Sequence, residues 1–205
     1  MHHLLGNRLE GNAIIINGDE YRKSHPHFNA IQRQYGLDAP AHTAAWSGAM
    51  TEALIDAFST QRYNLIIEGT LRTSTVPLDT ATLLNGKGYT TSLAIMAVKP
   101  EISLVSCQIR YELMRIAGTT PRATDPQHHN KIVHDIVDNL LTLEQSGLFE
   151  EILLYDRAAT LLYPTLGNSR SASDTLRNIL FGPWTAEETE HFDYLQTQLE
   201  ALREQ

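Results

Sequence analysis

Three unbroken apolar runs constrain this chain more than any other feature: AIII at residues 13–16, NLIIEG at 64–69 and SLAIMAV at 92–98. A strand with one face in water shows a polar residue at every second position. Runs without that alternation belong to strands covered by helices on both faces, the arrangement of a parallel sheet. Segments of helical spacing lie between and after these runs. Read in order, the chain gives the end of a short helix before Gly11, a strand at Ala13 to Asn17, a helix around Thr43 to Gln61 and a strand at Asn64 to Glu68. A helix near Pro77 to Asn85 follows, closed by Gly86 and Gly88, then a strand from Thr91 to Val98 and a helix from Pro100 to Ile116. Pro126 to Ser146 reads as a long helix ended by Gly147, and Glu151 to Tyr155 as a further strand. The alternation predicts an α/β fold: a doubly wound, mostly parallel sheet flanked by helices.

After Tyr163 the composition shifts to the polar stretch GNSRSASD, which marks a turn region. Two helical segments follow, on either side of Gly182 and Pro183. The second, Thr185 to Glu204, carries Phe192, Leu195, Leu199 and Leu202 at helical spacing, the signature of an amphipathic helix docked on a core or, alternatively, on a partner. The expected organisation is a core over residues 1–165 and a C-terminal helical extension over 166–205.

Charge narrows the choice of partners. With a formal net charge of -8, the 205 residues lack the basic surface that nucleic-acid binding selects, so any anionic ligand must be met by a local group of arginines. No run of about eighteen apolar residues and no basic-then-apolar leader is present, so the expectation is a cytoplasmic protein without a membrane partner. The single cysteine, Cys107, excludes an internal disulfide and a multi-cysteine zinc site, and its apolar helical setting predicts a packing role.

Ligands of open parallel sheets gather at the carboxyl ends of the strands, so polar residues just past each apolar run come first. The first run leads into NGDEYR and puts Asp19 at its exit; the second leads into EGTLRT and puts Glu68, Thr70 and Arg72 there. A carboxylate in such a place can take a proton from a hydroxyl or hold a magnesium ion, usually through water. Loop carboxylates are more often plain surface charge, and Glu52, within GAMTEALIDAF, reads as an exposed helix residue. Arg110 in CQIRYELM and Arg122 in TTPRAT form a second group, spaced so that one can project from a helix and the other from a loop over one anion. Either is otherwise an ordinary surface arginine. His25, His27, His128 and His129 show no metal-ligand spacing and are expected in solvent.

Taken in order, NAIIINGDEYRKSHPHF, MTEALIDAF, NLIIEGTLRTSTVPLDTATLLNGKGY, AIMAV, IRYELM, PRATDPQHHNKIVHDIVDNL and SGLFEEILLYDR resemble the zeta toxin family over most of Asn12 to Tyr163. The resemblance implies a P-loop kinase fold and an ATP-dependent kinase of UDP-N-acetylglucosamine, the toxin of a toxin and antitoxin pair. It also implies ATP and Mg2+ as cofactors and, as partners, a UDP-sugar and a cognate antitoxin protein. By position in the motifs, Asp19 resembles the base that takes the sugar hydroxyl's proton. Glu52, Thr70 and Arg72 resemble substrate contacts, and Glu68 the acid that steadies magnesium and its water. Arg110 and Arg122 resemble the pair that neutralises the transferring phosphoryl group. His134 and Asp135 match the helix after the lid and are read as structural or nucleotide-proximal.

One element of the pattern is missing. No G-x-x-x-x-G-K-[ST] occurs anywhere in the 205 residues, and GKG at Gly86 to Gly88 lies before a strand, the wrong context for cradling phosphates. MHHLLGNRLEGN resembles the remainder of the helix that such a loop opens. The cofactor-binding residues of the loop are therefore unassigned, and the expectation is a truncated or fragmentary kinase with the substrate side of its site present and the ATP side damaged. Two further readings stay open: a catalytically dead protein that still binds a UDP-sugar or an antitoxin, and a related kinase of another small molecule.

Overall fold

A computed structural model describes residues 5–6, 8–119, 121, 123–166 and 170–205. The chain divides into two compact units, Met1–Thr70 and Leu71–Gln205.

In the first unit, β1 (Ile14–Asn17) leads directly into a single helical turn, α1 (Gly18–Tyr21). Then come α2 (Phe28–Tyr35), α3 (Ala39–His42) and the long α4 (Ala44–Thr60), which returns the chain to β2 (Leu65–Glu68). β1 and β2 are parallel, Ile14 opposite Leu65 and Asn17 opposite Glu68. This is the right place for a strand–helix–strand crossover, since parallel neighbours cannot be joined by a tight turn. The core of the unit is small: Ile16, Ala39, Ile55 and Ile66 are buried, with Thr43, Ser47 and Ser59 among them. The expected strands and the long helix are present within a residue or two. The expectation of free histidines does not hold for His25, which is half-buried with its ring 5.2 Å from that of Trp46 in an edge-on contact.

The second unit contains α5 (Thr75–Gly86), β3 (Ser92–Met96), α6 (Pro100–Ile116), α7 (Pro126–Ser146), β4 (Glu151–Tyr155), β5 (Leu161–Tyr163), α8 (Ala172–Phe181) and α9 (Ala186–Arg203). β3 and β4 are parallel, and β5 folds back antiparallel on β4. β5 escaped the sequence reading because LLY is too short to show a period. Pro at the first turn starts both α6 and α7, and Gly147 ends α7 in the left-handed conformation at φ 64°.

Two apolar clusters hold this unit. Ile95, Val137, Leu140, Leu154, Leu176 and Leu180 join the sheet to α7 and α8. Ile102 and Ile109 of α6 meet Leu195 and Leu199 of α9, with Phe192 and Leu202 beside them, so the last helix is a docked amphipathic helix. Cys107, on α6, is half-buried.

Polar groups fix the helix junctions. Lys99 is only 2% exposed, and its Nζ donates to the carbonyl oxygens of Gly182 (2.8 Å) and Pro183 (3.3 Å), with the Glu188 carboxylate at 4.0 Å. Glu144 accepts from the Ala172 and Ser173 amides and from the Ser173 hydroxyl, and the Ser171 hydroxyl accepts from the Asp174 amide, so together they cap the N-terminus of α8. The chain is thus mostly parallel α/β with helices flanking its strands, the expected fold class.

Candidate functional site

In the first unit the parallel register brings two polar residues side by side at the carboxyl ends of the strands. Asn17 and Glu68 are paired across β1 and β2, and the Asn17 amide donates to the Glu68 carboxylate. The same Asn17 caps α1, its side-chain oxygen accepting from the Asp19 amide at 3.0 Å. One asparagine therefore fixes both Glu68 and the backbone that carries Asp19.

Asp19 is exposed, and Arg22, one turn along, donates to its carboxylate at 3.0 Å. The Arg22 guanidinium reaches further, to the Pro40 carbonyl at 2.7 Å and the buried Thr43 hydroxyl at 3.1 Å. It anchors Asp19 to the start of α4. Beneath α1, the Ser47 hydroxyl donates to the Gly18 carbonyl at 2.5 Å. A β-carbon on Gly18 would stand 3.0 Å from the Ser47 hydroxyl oxygen and 3.1 Å from that of Thr51, so glycine lets the strand exit lie close on α4. Glu52, the neighbour of Thr51, is exposed on α4, and Thr70 is exposed two residues beyond β2.

In the second unit the loop before α5 carries Arg72, which is exposed. Its neighbour Leu71 has φ 52°, a conformation costly for a leucine. The Asn139 amide of α7 donates to the Leu71 carbonyl at 3.0 Å and the Leu71 side chain packs on the larger apolar cluster, which holds the loop in that shape. Arg110 is exposed on α6 and lines a cleft of about 420 Å³. Arg122 lies outside the described residues.

Farther along α7, the Asp135 carboxylate accepts from His134 at 2.8 Å and Lys131 at 3.0 Å, and these hydrogen bonds hold its pKa below the usual carboxylate value. His129 meets the Ser103 hydroxyl at 3.2 Å, a contact between α7 and α6. Among the described residues no group of three or more His, Cys, Asp and Glu is arranged to hold a metal, and no helix is long and apolar enough to cross a membrane.

The structure thus brings together Asp19 and Glu68 through Asn17, leaves Glu52 and Thr70 exposed in the same unit, and carries Arg72 and Arg110 in the other. Sequence reasoning missed Asn17, Arg22 and Asn139. Asn17 was within reach, being the first polar residue after an apolar run. Arg22 offered only its i,i+3 spacing from Asp19. Asn139 is tied to Leu71 across 68 residues and left no local signal.

Acidic residues at the carboxyl ends of a parallel strand pair, within a mostly parallel α/β fold, mark the place where folds of this class bind their ligands. Residues 1–167 match the family described as zeta toxin, and the chain belongs to that family. It is 42% identical over its full 205 residues to toxin PezT of Streptococcus pneumoniae serotype 4, of which it spans 81%. Toxin zeta of Streptococcus pyogenes is 42% identical over 173 residues, 83% of this chain and 60% of that protein. A solved structure from the characterisation of the PezAT chromosomal toxin-antitoxin system of Streptococcus pneumoniae superposes with a TM-score of 0.86 at 40% identity, covering 98% of this chain and 80% of that one.

Proposed function

We propose that this chain acts as the toxin of a toxin-antitoxin pair, as a kinase that moves the γ-phosphoryl group of ATP to a hydroxyl of UDP-N-acetylglucosamine. The observation that supports this reading is the Asn17 bridge, which sets Asp19 and Glu68 at adjoining strand ends in a member of this family. The Asp19 carboxylate takes the proton of the acceptor hydroxyl. The oxygen so freed attacks the γ-phosphorus, the bond to the β-phosphate oxygen breaks, and ADP leaves. Arg22 holds the Asp19 carboxylate in place through its hydrogen bond, while Glu52, Thr70 and Arg72 contact the sugar nucleotide.

Carboxylate oxygens are the donors magnesium takes, so Glu68 fits the acid that holds the ion through water, and the ion would supply charge neutralisation at the phosphates. Arg110 and Arg122 neutralise the transferring group. The 205 residues contain no Walker-type loop, so transfer by them alone is expected to be impaired. The acceptor class, the antitoxin partner and a cytoplasmic setting belong to the same proposal.

Phosphorylation of UDP-N-acetylglucosamine is to be measured for the 205-residue chain and for a version supplied with a first strand and phosphate-binding loop. Turnover confined to the loop-bearing version, and abolished there by Asp19→Ala with the fold intact, supports the proposal. Undiminished turnover after Asp19→Ala removes Asp19 as the base. A chain that binds a UDP-sugar with no turnover in either form favours the alternative, a binding remnant.

A further inference from the structure

The cleft that holds Arg110 contains a second cation. Ile109, Leu113 and Met114 of α6 and Leu195 of α9 form an apolar wall, and Arg110 and Arg157 supply the charge. Arg157 sits in the turn between β4 and β5. That turn is built tightly: the Asp156 carboxylate accepts from the Thr160 amide at 2.7 Å, the Asp156 amide donates to the Thr160 carbonyl at 3.1 Å, and Ala159 takes φ 66°. Asp156 is occupied in its own turn, so the carboxylate next to Arg157 in sequence is spent on the backbone.

No carboxylate lines the cleft, and among the described residues neither guanidinium has a hydrogen bond or an ion pair with an acidic side chain. Both arginines are exposed; the cleft walls desolvate Arg157 in part and lower its pKa from the usual guanidinium value, with Cys107 opposing that shift, and its charge has no carboxylate partner among the described residues. Two guanidinium forks beside an apolar wall suit a ligand with several phosphates and a flat apolar body. The volume, about 420 Å³, falls in the range of roughly 300–1,000 Å³ typical of small-molecule sites.

We infer that Arg157 is a binding residue for a nucleoside polyphosphate, holding its phosphates together with Arg110 while the base lies on the wall formed by Ile109, Leu113, Met114 and Leu195. The inference rests on the kinase reading only for the name of the ligand; the cleft itself predicts an anion with an apolar part.

The test is calorimetric titration of the 205-residue chain with ATP and with inorganic tripolyphosphate. The expected result is binding of both, ATP the tighter, with Arg157→Ala weakening both by about tenfold, the worth of roughly one charge-assisted hydrogen bond. Arg157→Lys should recover only part, because it keeps the charge and loses the fork. Unchanged thermal unfolding of both variants separates lost binding from lost folding. Affinities within twofold of wild type in Arg157→Ala, beside a clear loss in Arg110→Ala, overturn the inference, and so does failure of the wild-type chain to bind either probe at millimolar concentration. Tripolyphosphate binding that depends on Arg157, without phosphorylation of a UDP-sugar by the loop-bearing version, upholds the cleft and counts against the kinase proposal instead.

Discussion

Asn17 shows how much one side chain can organise. Its oxygen caps α1 and its amide meets Glu68, so both faces of the amide are used. Asn17→Asp keeps the cap and places a second negative charge against Glu68. The expected outcome, in a version competent for phosphoryl transfer, is a loss of kcat larger than that of Asn17→Ser, which keeps a cap but carries no charge. Equal losses would show that the bridge to Glu68 does not matter. Arg22→Met is expected to lower transfer, since the group that orients the Asp19 carboxylate is gone; undiminished transfer would deny Arg22 that role.

Asp135 makes a pH prediction with a definite sign. Its pKa is depressed in the folded chain, so its contribution to stability is complete above the ordinary carboxylate value and lost as pH falls through the depressed one. Asp135→Asn should therefore narrow its difference from wild type below about pH 4, the ordinary Asp value, when melting is followed from neutral to acid pH. The carboxylate is only partly covered, so the effect is small. Gly147 and Gly182 separate two kinds of glycine. At Gly147 a β-carbon meets nothing, and Gly147→Ala costs only the left-handed backbone, about 1 kcal/mol in chemical denaturation. At Gly182 a β-carbon would fall 2.3 Å from the Asn178 carbonyl oxygen, so Gly182→Ala must displace the end of α8 and is expected to cost more.

At the scale of elements, α9 is held by apolar contacts and by one buried cation. Leu199→Ala is expected to cost about 2–5 kcal/mol, as a leucine removed from a packed cluster does. Lys99→Met keeps the aliphatic stem and leaves the Gly182 carbonyl without its donor, for about 1–3 kcal/mol. Both are read by urea unfolding, and a Lys99→Met chain as stable as wild type would show that the Gly182 and Pro183 carbonyls find water.

Elements of this kind were legible wherever a period or a stop was present. α6 and α7 begin at their prolines and α7 ends at its glycine, as the sequence analysis expects. The short helices between β1 and α4 were not legible, because four to eight residues are too few for a period and their order comes from contacts such as Arg22 with Pro40 and Thr43. Asp19 and Glu68 were legible as strand-exit acids. Arg157 follows a strand in the same way, in EILLYDR, yet no rule about strand exits distinguishes an arginine that faces a cleft from one that faces water.

The whole molecule is uneven in its cohesion. Among the described residues the first unit buries only Ile16, Ala39, Ile55 and Ile66 as hydrophobic core, while the second contains the other buried apolar side chains, Leu140, Leu143, Leu154 and Leu176 among the most completely covered. Hydrogen exchange should therefore be slowest at the amides of α7, β4 and α8 and faster throughout β1 and β2. Uniform protection across both sheets would mean that the chain opens as one cooperative body.

The Lys99 contact has a consequence for synthesis. Its partners are 83 and 84 residues further along the chain, and a ribosome adds roughly 5–20 residues per second, so the ammonium group spends roughly 4–17 seconds without them. Until Gly182 and Pro183 emerge, the start of α6 has to remain hydrated or open. A nascent chain halted after β4 should thus expose Ile102 and Ile109, the apolar face that Leu195 and Leu199 later cover, and be a client for chaperones that the finished protein is not.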